Sequence, residues 1–179
     1  MNIGAHQLQQ DVFVPTLTRL LSEHPDIQHH FLELEVLESS ALENMIKVSA
    51  AMDACHRLGV RFAIDDFGTG YSSLTYLRHR PADRLKIDQS FVSGMLDNCD
   101  DRAIVEGVIG LVHAFHRDVI AEGVESPAHG ALLQTLGCEF AQGYGISHPL
   151  PAEEIPGWIA QWRKNWPLGK TSWAPGNSD

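Results

Sequence analysis

Apolar and polar positions alternate between two periods along the chain, and the switching between them predicts the elements. Leu8, Val12, Leu17, Leu20 and Leu21 recur at helical spacing until His24-Pro25-Asp26 interrupts them, and no leading strand is visible before them. Phe31 to Val36 then alternates apolar with acidic residues at period two, which predicts a strand whose acids Glu33 and Glu35 share a face. A helix is predicted over 41–58, with Met45, Val48, Met52 and Cys55 on one stripe and Gly59 closing it. Val60 to Ile64 is a buried strand that stops at two adjacent carboxylates, Asp65 and Asp66, and a turn bracketed by Gly68 and Gly70.

The pattern repeats downstream. A short helix over 72–78 leads to a brief strand, 84–88, that ends in charge; a helix carrying Ile104, Val108, Leu111, Val112 and Phe115 leads to a strand ending at Glu122 and Glu125. A helix over 127–136 precedes a last strand ending near the amide of Gln142, and a final helix is predicted over 153–166. The tail 167–179, rich in Gly, Pro and Ser, is expected to be disordered. Alternating strands and helices with short connections predict an α/β fold with parallel neighbours, and charge at every strand C-terminus is the polarity of a (β/α)-barrel. Five strands fall short of a closed barrel of about 250 residues, so the barrel is expected to be open or incomplete at the N-terminus.

Composition narrows the functional classes. With 179 residues and 44% hydrophobic content, one domain is expected. A formal net charge of −10 disfavours a DNA or RNA partner, so metal ions would have to mediate any phosphate substrate. Three cysteines without zinc-like spacing suit reduced thiols in the cytoplasm; no apolar run spans a bilayer and no signal peptide is evident, although a membrane-tethered parent protein is compatible. His29-His30 and His113/His116 are expected at the surface, and Trp158, Trp162 and Trp166 form a stripe expected to pack the last helix onto the barrel.

Two consecutive acids can serve one site only where the backbone turns, and they repel each other unless a cation lies between them. The strand ends bring Glu35, Asp65, Asp66, Lys86, Asp88, Glu122, Glu125 and Gln142 toward one rim, with Asn2 as a further candidate. Oxygen ligands in that number suit two hard divalent ions acting on a phosphoryl group. Lys86 could hold a phosphate oxygen or the attacking water, or simply pair with its neighbours.

The motifs carry a resemblance. Leu34 to Ser39 resembles the Leu-Glu-Ile-Thr-Glu-Ser segment of the EAL family of bacterial phosphodiesterases, 65–74 matches its Asp-Asp-Phe-Gly-Thr-Gly-Tyr-Ser-Ser-Leu loop, and 85–88 fits its Leu-Lys-Ile-Asp. Segments 121–125 and 142–144, and the Asn-Leu-Ser-Ala-like start at Asn2, complete the series over nearly the whole chain. The resemblance implies a partial TIM-type barrel of this family over 1–166 that opens cyclic di-GMP to linear pGpG with two Mg²⁺ or Mn²⁺ ions. Asn2, Glu35 and Asp65 would bind one ion and Asp65, Asp66 and Glu122 the other, with Asp65 bridging. Lys86 and Gln142 would position the nucleophilic water, Glu38 would hold the loop containing Gly68, Thr69 and Gly70, and Asp88 and Glu125 would be supporting groups.

Two departures bear on activity. The Glu-Ala-Leu strand, with its metal-ligand Glu and a nearby Arg, is absent, and Leu37 replaces the usual Thr. The chain is therefore expected to be a fragment, impaired as an isolated monomer and prone to pair with a second copy or with upstream sensory or regulatory domains of a longer parent. The alternatives are a module that senses cyclic di-GMP without cleaving it, and an unrelated Mg²⁺ barrel of the enolase type, against which the glycine loop argues.

Overall fold

The computed structural model describes residues 1–38, 45–68 and 82–165. Five parallel strands, β1 (Glu33–Leu37), β2 (Arg61–Phe67), β3 (Arg84–Ile87), β4 (Asp118–Ala121) and β5 (Phe140–Ala141), form one sheet in sequential order, as consecutive strands of a barrel do. The helices among the described residues are, in chain order, α1 (Ala5–Leu8), α2 (Phe13–Glu23), α3 (Met45–Arg57), α4 (Gln89–Gly94), α5 (Cys99–Ala114) and α6 (Pro127–Thr135). A seventh, α7 (Ile155–Asn165), follows a 3₁₀ turn.

Register decides what each face of the sheet carries. Leu34 pairs with Phe62 and Val36 with Ile64; Ile64 pairs with Leu85, and Leu85 with Val119. All six are at most 1% exposed. This face packs under α3 and α5, which contribute Val48, Met52, Cys55, Val105, Ile109 and Val112 to the same core. Burying such side chains contributes about 1.5–3 kcal/mol each. Because side chains alternate across a strand, the opposite face receives Glu33 and Glu35, Asp65, Arg84 and Lys86, and Asp118.

Several elements differ from expectation. Residues 1–3 do add a strand-like rung: Asn2 bridges Glu35 in parallel, Ile3 N–H donates to the Glu35 carbonyl at 2.9 Å, and Glu35 N–H donates to the Met1 carbonyl at 2.9 Å. A three-residue rung is too short to show a hydrophobic period. The first helical segment is broken into α1 and α2, because the polar stretch Gln9 to Asp11 offers no apolar position to carry the stripe. Helix α4, not anticipated, begins where the Asp88 side chain accepts from Ser90 N–H at 2.8 Å, an N-cap hidden by reading Asp88 only as a charged strand end. Asp83 similarly ties the start of the β2–β3 pair, accepting from Phe62 N–H at 2.8 Å and contacting His56 at 3.0 Å.

Within the tryptophan stripe Trp158 and Trp162, both half-buried, stack on each other with ring centroids 5.1 Å apart, while Ile155 at the start of α7 is 42% exposed. His29 is not a free surface residue, since its Nδ1 lies 2.7 Å from the Leu58 carbonyl; His113 and His116 are exposed. No described helix is long and apolar enough to cross a membrane. The helix expected over 72–78, the start of the one expected at 41, Trp166 and the tail lie outside the described residues.

Candidate metal and phosphoester site

The polar face of the sheet converges on one ammonium group. Lys86 Nζ lies 2.9 Å from Glu35 Oε2, 2.9 Å from Asp65 Oδ1 and 2.6 Å from Glu122 Oε1, and its side chain is 5% exposed. Each partner comes from a different strand or strand end: Glu35 from β1, Asp65 from β2, and Glu122 just after β4, where its N–H donates to the Ile87 carbonyl of β3. Burial opposes the lysine charge, but the hydrogen bonds it donates to Glu122, Asp65 and Glu35 outweigh that and push its pKa above the ordinary lysine value. Lys86 is therefore charged throughout the physiological range.

Asp66 reaches the same centre through a backbone device. The β2–β3 register shifts between Ile64 and Phe67, and Asp66 has φ of 55°, a left-handed conformation that aspartate tolerates better than most residues. The turn that lets consecutive acids serve one site thus begins at Asp66 itself, two residues before Gly68, whose φ of 105° continues it as the glycine pattern predicts. Oxygens of Asp65, Asp66 and Glu122 all lie within 4.8 Å of one another. Asp66 has its pKa raised, first by burial and then by the charge of Asp65 and contact with Asp88. Glu122 is raised by burial; Lys86 opposes that shift, and Asp65 and Asp66 add to it. Two acids with pKa values raised by burial and neighbouring negative charge, their oxygens gathered with those of Asp65, fit a hard divalent cation.

The remaining candidates fall around this core. Gln142 Nε2 donates to Glu122 Oε1. Glu38, 1% exposed, accepts from Gly68 N–H at 3.1 Å. Asn2 lies opposite Glu35, so their side chains emerge on the same face. Asp88 caps α4 and is held below the ordinary carboxylate range, its burial being outweighed by the Ser90 hydrogen bonds. Glu125 is exposed at the rim, while Thr69 and Gly70 lie outside the described residues.

A cavity of about 590 Å³ opens onto this cluster, lined by Asp66, Glu122, Gln142, Gln89, Gly123, Glu125, Gly143, Tyr144, Ser147, His148 and Pro149. That volume suits a small organic ligand. Gln89, Ser147, His148 and Pro149 were not singled out from the sequence. The Gly-Tyr-Gly run at 143–145 is the signal that could have found this wall, because an aromatic residue between two glycines seldom serves a core.

The comparisons with known proteins agree with this geometry. A family model described as EAL domain matches residues 1–149. The chain is 41% identical over 162 residues to the cyclic di-GMP phosphodiesterase NbdA of Pseudomonas aeruginosa, covering 90% of this chain and 20% of that protein. Among solved structures, the MucR phosphodiesterase in complex with c-di-GMP superposes with a TM-score of 0.80 at 37% identity, covering 86% of this chain and 62% of that one. The EAL domain of Mycobacterium smegmatis DcpA superposes with a TM-score of 0.82 at 37% identity, covering 89% of this chain and 71% of that one. The chain spans about a fifth to a quarter of the length of the curated relatives it matches.

Proposed function

The chain belongs to the EAL domain family, and on that premise we propose that it is the catalytic module of a metal-dependent phosphodiesterase that hydrolyses cyclic di-GMP to linear pGpG. The observation that carries this reading is the meeting of three carboxylates on Lys86 beside a second aspartate, at one end of a parallel sheet and at the mouth of a cavity. Asp65, Asp66 and Glu122, with Glu35 and Asn2 on the adjoining strand positions, would hold Mg²⁺ or Mn²⁺, two ions in the full site. When bound, such ions supply Lewis acidity and charge neutralisation at the phosphodiester.

The chain's own groups do the rest. Hydrolysis joins the oxygen of water to phosphorus and breaks the bond from phosphorus to a ribose 3′-oxygen, which leaves with a proton. All three N–H donors of Lys86 are held by Glu35, Asp65 and Glu122; as those carboxylates turn to metal the ammonium would be freed to join Gln142, fixed through Glu122, in orienting that water and a phosphate oxygen. Glu38 acts as a positioning residue through its grip on Gly68, just past the end of β2. Asp88 and Glu125 support the rim. Residues 1–166 form this module; the greater length of the relatives suits linkage to regulatory domains, or pairing with a second copy.

The test is incubation with cyclic di-GMP and Mn²⁺, with chromatography for the linear dinucleotide. Appearance of pGpG that depends on the metal and is lost on adding a chelator is the expected result. Tight binding without any product would replace this reading with that of a non-catalytic sensor.

A further inference from the structure

Among the described residues three polar side chains are buried, Glu38, Lys86 and His129, and the chemistry above uses only the first two. His129 is 5% exposed and lies in the first turn of α6. A polar ring so deeply placed costs free energy unless its nitrogens are bonded, and both are. Nε2 lies 3.3 Å from the Ser93 carbonyl of α4, and Nδ1 lies 2.8 Å from the Ser126 hydroxyl. A carbonyl can only accept, so Nε2 carries the proton; in the neutral ring Nδ1 then accepts from Ser126 Oγ–H. Ser126 in turn caps α6 by accepting from His129 N–H.

The cap uses only the backbone of residue 129, whereas the ring reaches a carbonyl 36 residues away in sequence, on another helix. Both helices open at the site. Helix α4 starts at Asp88, which touches Asp66, and at Gln89, which lines the cavity. Helix α6 starts directly after the segment from which Glu122, Gly123 and Glu125 line the same cavity. Gln89 and Ser93 are four residues apart and share one face of α4. The segment from Glu122 to His129 meets that face twice. At one end Gly123 has φ of 68°, and a Cβ there would come within 2.6 Å of the Gln89 Cβ; at the other the His129 ring bonds Ser93.

We propose that His129 is a positioning residue of the metal site: its ring braces α6 against α4 and so fixes Glu122 relative to Asp66, whose neighbour Asp88 heads α4. This role rests on the phosphodiesterase reading and deepens it, since His129 would touch neither metal nor substrate. Oxygens of Asp65, Asp66 and Glu122 lie within 4.8 Å of one another. In a set that close, a misplacement of about 1 Å is enough to cost about a hundredfold in rate.

Two polar variants separate the brace from the cap. His129→Asn keeps a polar group at the Nδ1 position, beside Ser126, but loses the reach to Ser93. His129→Gln, one methylene longer, places an N–H near the Nε2 position. For each full chain the readouts are kcat and KM with cyclic di-GMP, the Kd for Mn²⁺ alone, and the urea midpoint. His129→Asn is expected to lower kcat and weaken Mn²⁺ binding about ten- to a hundredfold, with KM at saturating Mn²⁺ changing far less. His129→Gln should restore most of both. Ser126→Ala, which removes the cap and keeps the link to Ser93, should lose stability while kcat stays close to that of the parent.

Three outcomes overturn the brace and leave the phosphodiesterase reading intact: a less stable His129→Asn with parental kcat and Mn²⁺ affinity, a His129→Gln as impaired as His129→Asn, or a Ser126→Ala as impaired as His129→Asn. A parent chain that binds Mn²⁺ without cleaving overturns the phosphodiesterase reading, and the Mn²⁺ affinities of the variants still decide the brace. A parent chain that neither binds Mn²⁺ nor cleaves the dinucleotide overturns both.

Discussion

Two cationic side chains on β3, Arg84 and Lys86, point to the same face of the sheet two residues apart, and their surroundings differ in a way that separates structure from chemistry. Arg84 meets two carboxylates, Glu33 at 3.1 Å and Asp118 at 3.2 Å, and its guanidinium lies 4.8 Å over the ring of Phe140. Asp118 is 51% exposed, so water shares the charge. Lys86 meets three carboxylates, all less exposed than Asp118, with Asp66 as a fourth close by. The Arg84 layer is a satisfied ion pair with an aromatic cover. The Lys86 layer carries more half-buried negative charge than its one ammonium can balance, an excess that fits the proposed metal.

The largest effects should come from removing charge at the centre of the Lys86 layer. Asp65→Asn takes away the proposed bridging ligand and is expected to lower kcat by about a hundred- to a thousandfold, as losing one preorganised electrostatic group does elsewhere. Asp66→Asn should do less to metal affinity, because it serves one ion only. Normal turnover in Asp65→Asn, measured as pGpG formed per minute at saturating Mn²⁺, would remove the basis for a two-metal site.

Lys86→Met tests the layer from the other side. In metal-free buffer it leaves half-buried acids without their cation and should cost about 1–3 kcal/mol of stability, read from urea unfolding. Added Mn²⁺ should recover more stability in this variant than in the parent, since the vacated charge deficit is larger. An equal metal-induced gain in both proteins would mean that Lys86 and the ion do not share these carboxylates.

A pH series on the metal-free chain sharpens the comparison further. Asp66 and Glu122 have raised pKa values in the folded state, so the folded chain binds more protons than the unfolded one between their ordinary and raised values. Their contribution to stability is therefore present below the ordinary carboxylate range and declines as pH rises through the raised values. Asp83 and Asp88 are lowered and act with the opposite sign, losing their contribution as pH falls. Unfolding free energies with and without Mn²⁺ should diverge as pH rises from about 4, and Asp66→Asn should flatten that divergence. Parallel curves would show that the raised acids are not the ones metal engages.

The sequence made much of this site legible because each strand announces its end. The alternating strand through Glu35, the brief strand through Lys86 and the apolar runs stopping at Asp65 and Glu122 placed four side chains at one rim, and parallel register then had little freedom to separate them. The alternation of Leu34 and Val36 with Glu33 and Glu35 also identified the two faces correctly. Three features lay beyond that kind of reading. The positive φ at Asp66 depends on a register shift between two strands, which no single strand's pattern contains. The Asn2 bridge is a matter of one residue pairing at a distance. The exposure of α7 depends on what lies across from it, and a tryptophan stripe looks the same whether its partner is the sheet or another tryptophan.

The smallest expected effect concerns the other layer and asks whether the two are independent. Arg84→Gln removes a partly exposed ion pair and the cation–π contact with Phe140, and such interactions together contribute about 1 kcal/mol. The stability loss should be of that order, while Mn²⁺ affinity stays near that of the parent chain. Independence is not guaranteed, because Glu33 and Glu35 share β1 and Arg84 and Lys86 share β3, with a single residue between the members of each pair. The double variant Arg84→Gln/Lys86→Met resolves this: stability losses that add within about 0.5 kcal/mol describe two separate layers. A larger coupling, together with a shift in Mn²⁺ affinity from Arg84→Gln alone, would mean that the lower ion pair sets the position of the upper one. Arg84 would then belong with the residues that position the metal site, rather than with those that hold the sheet together.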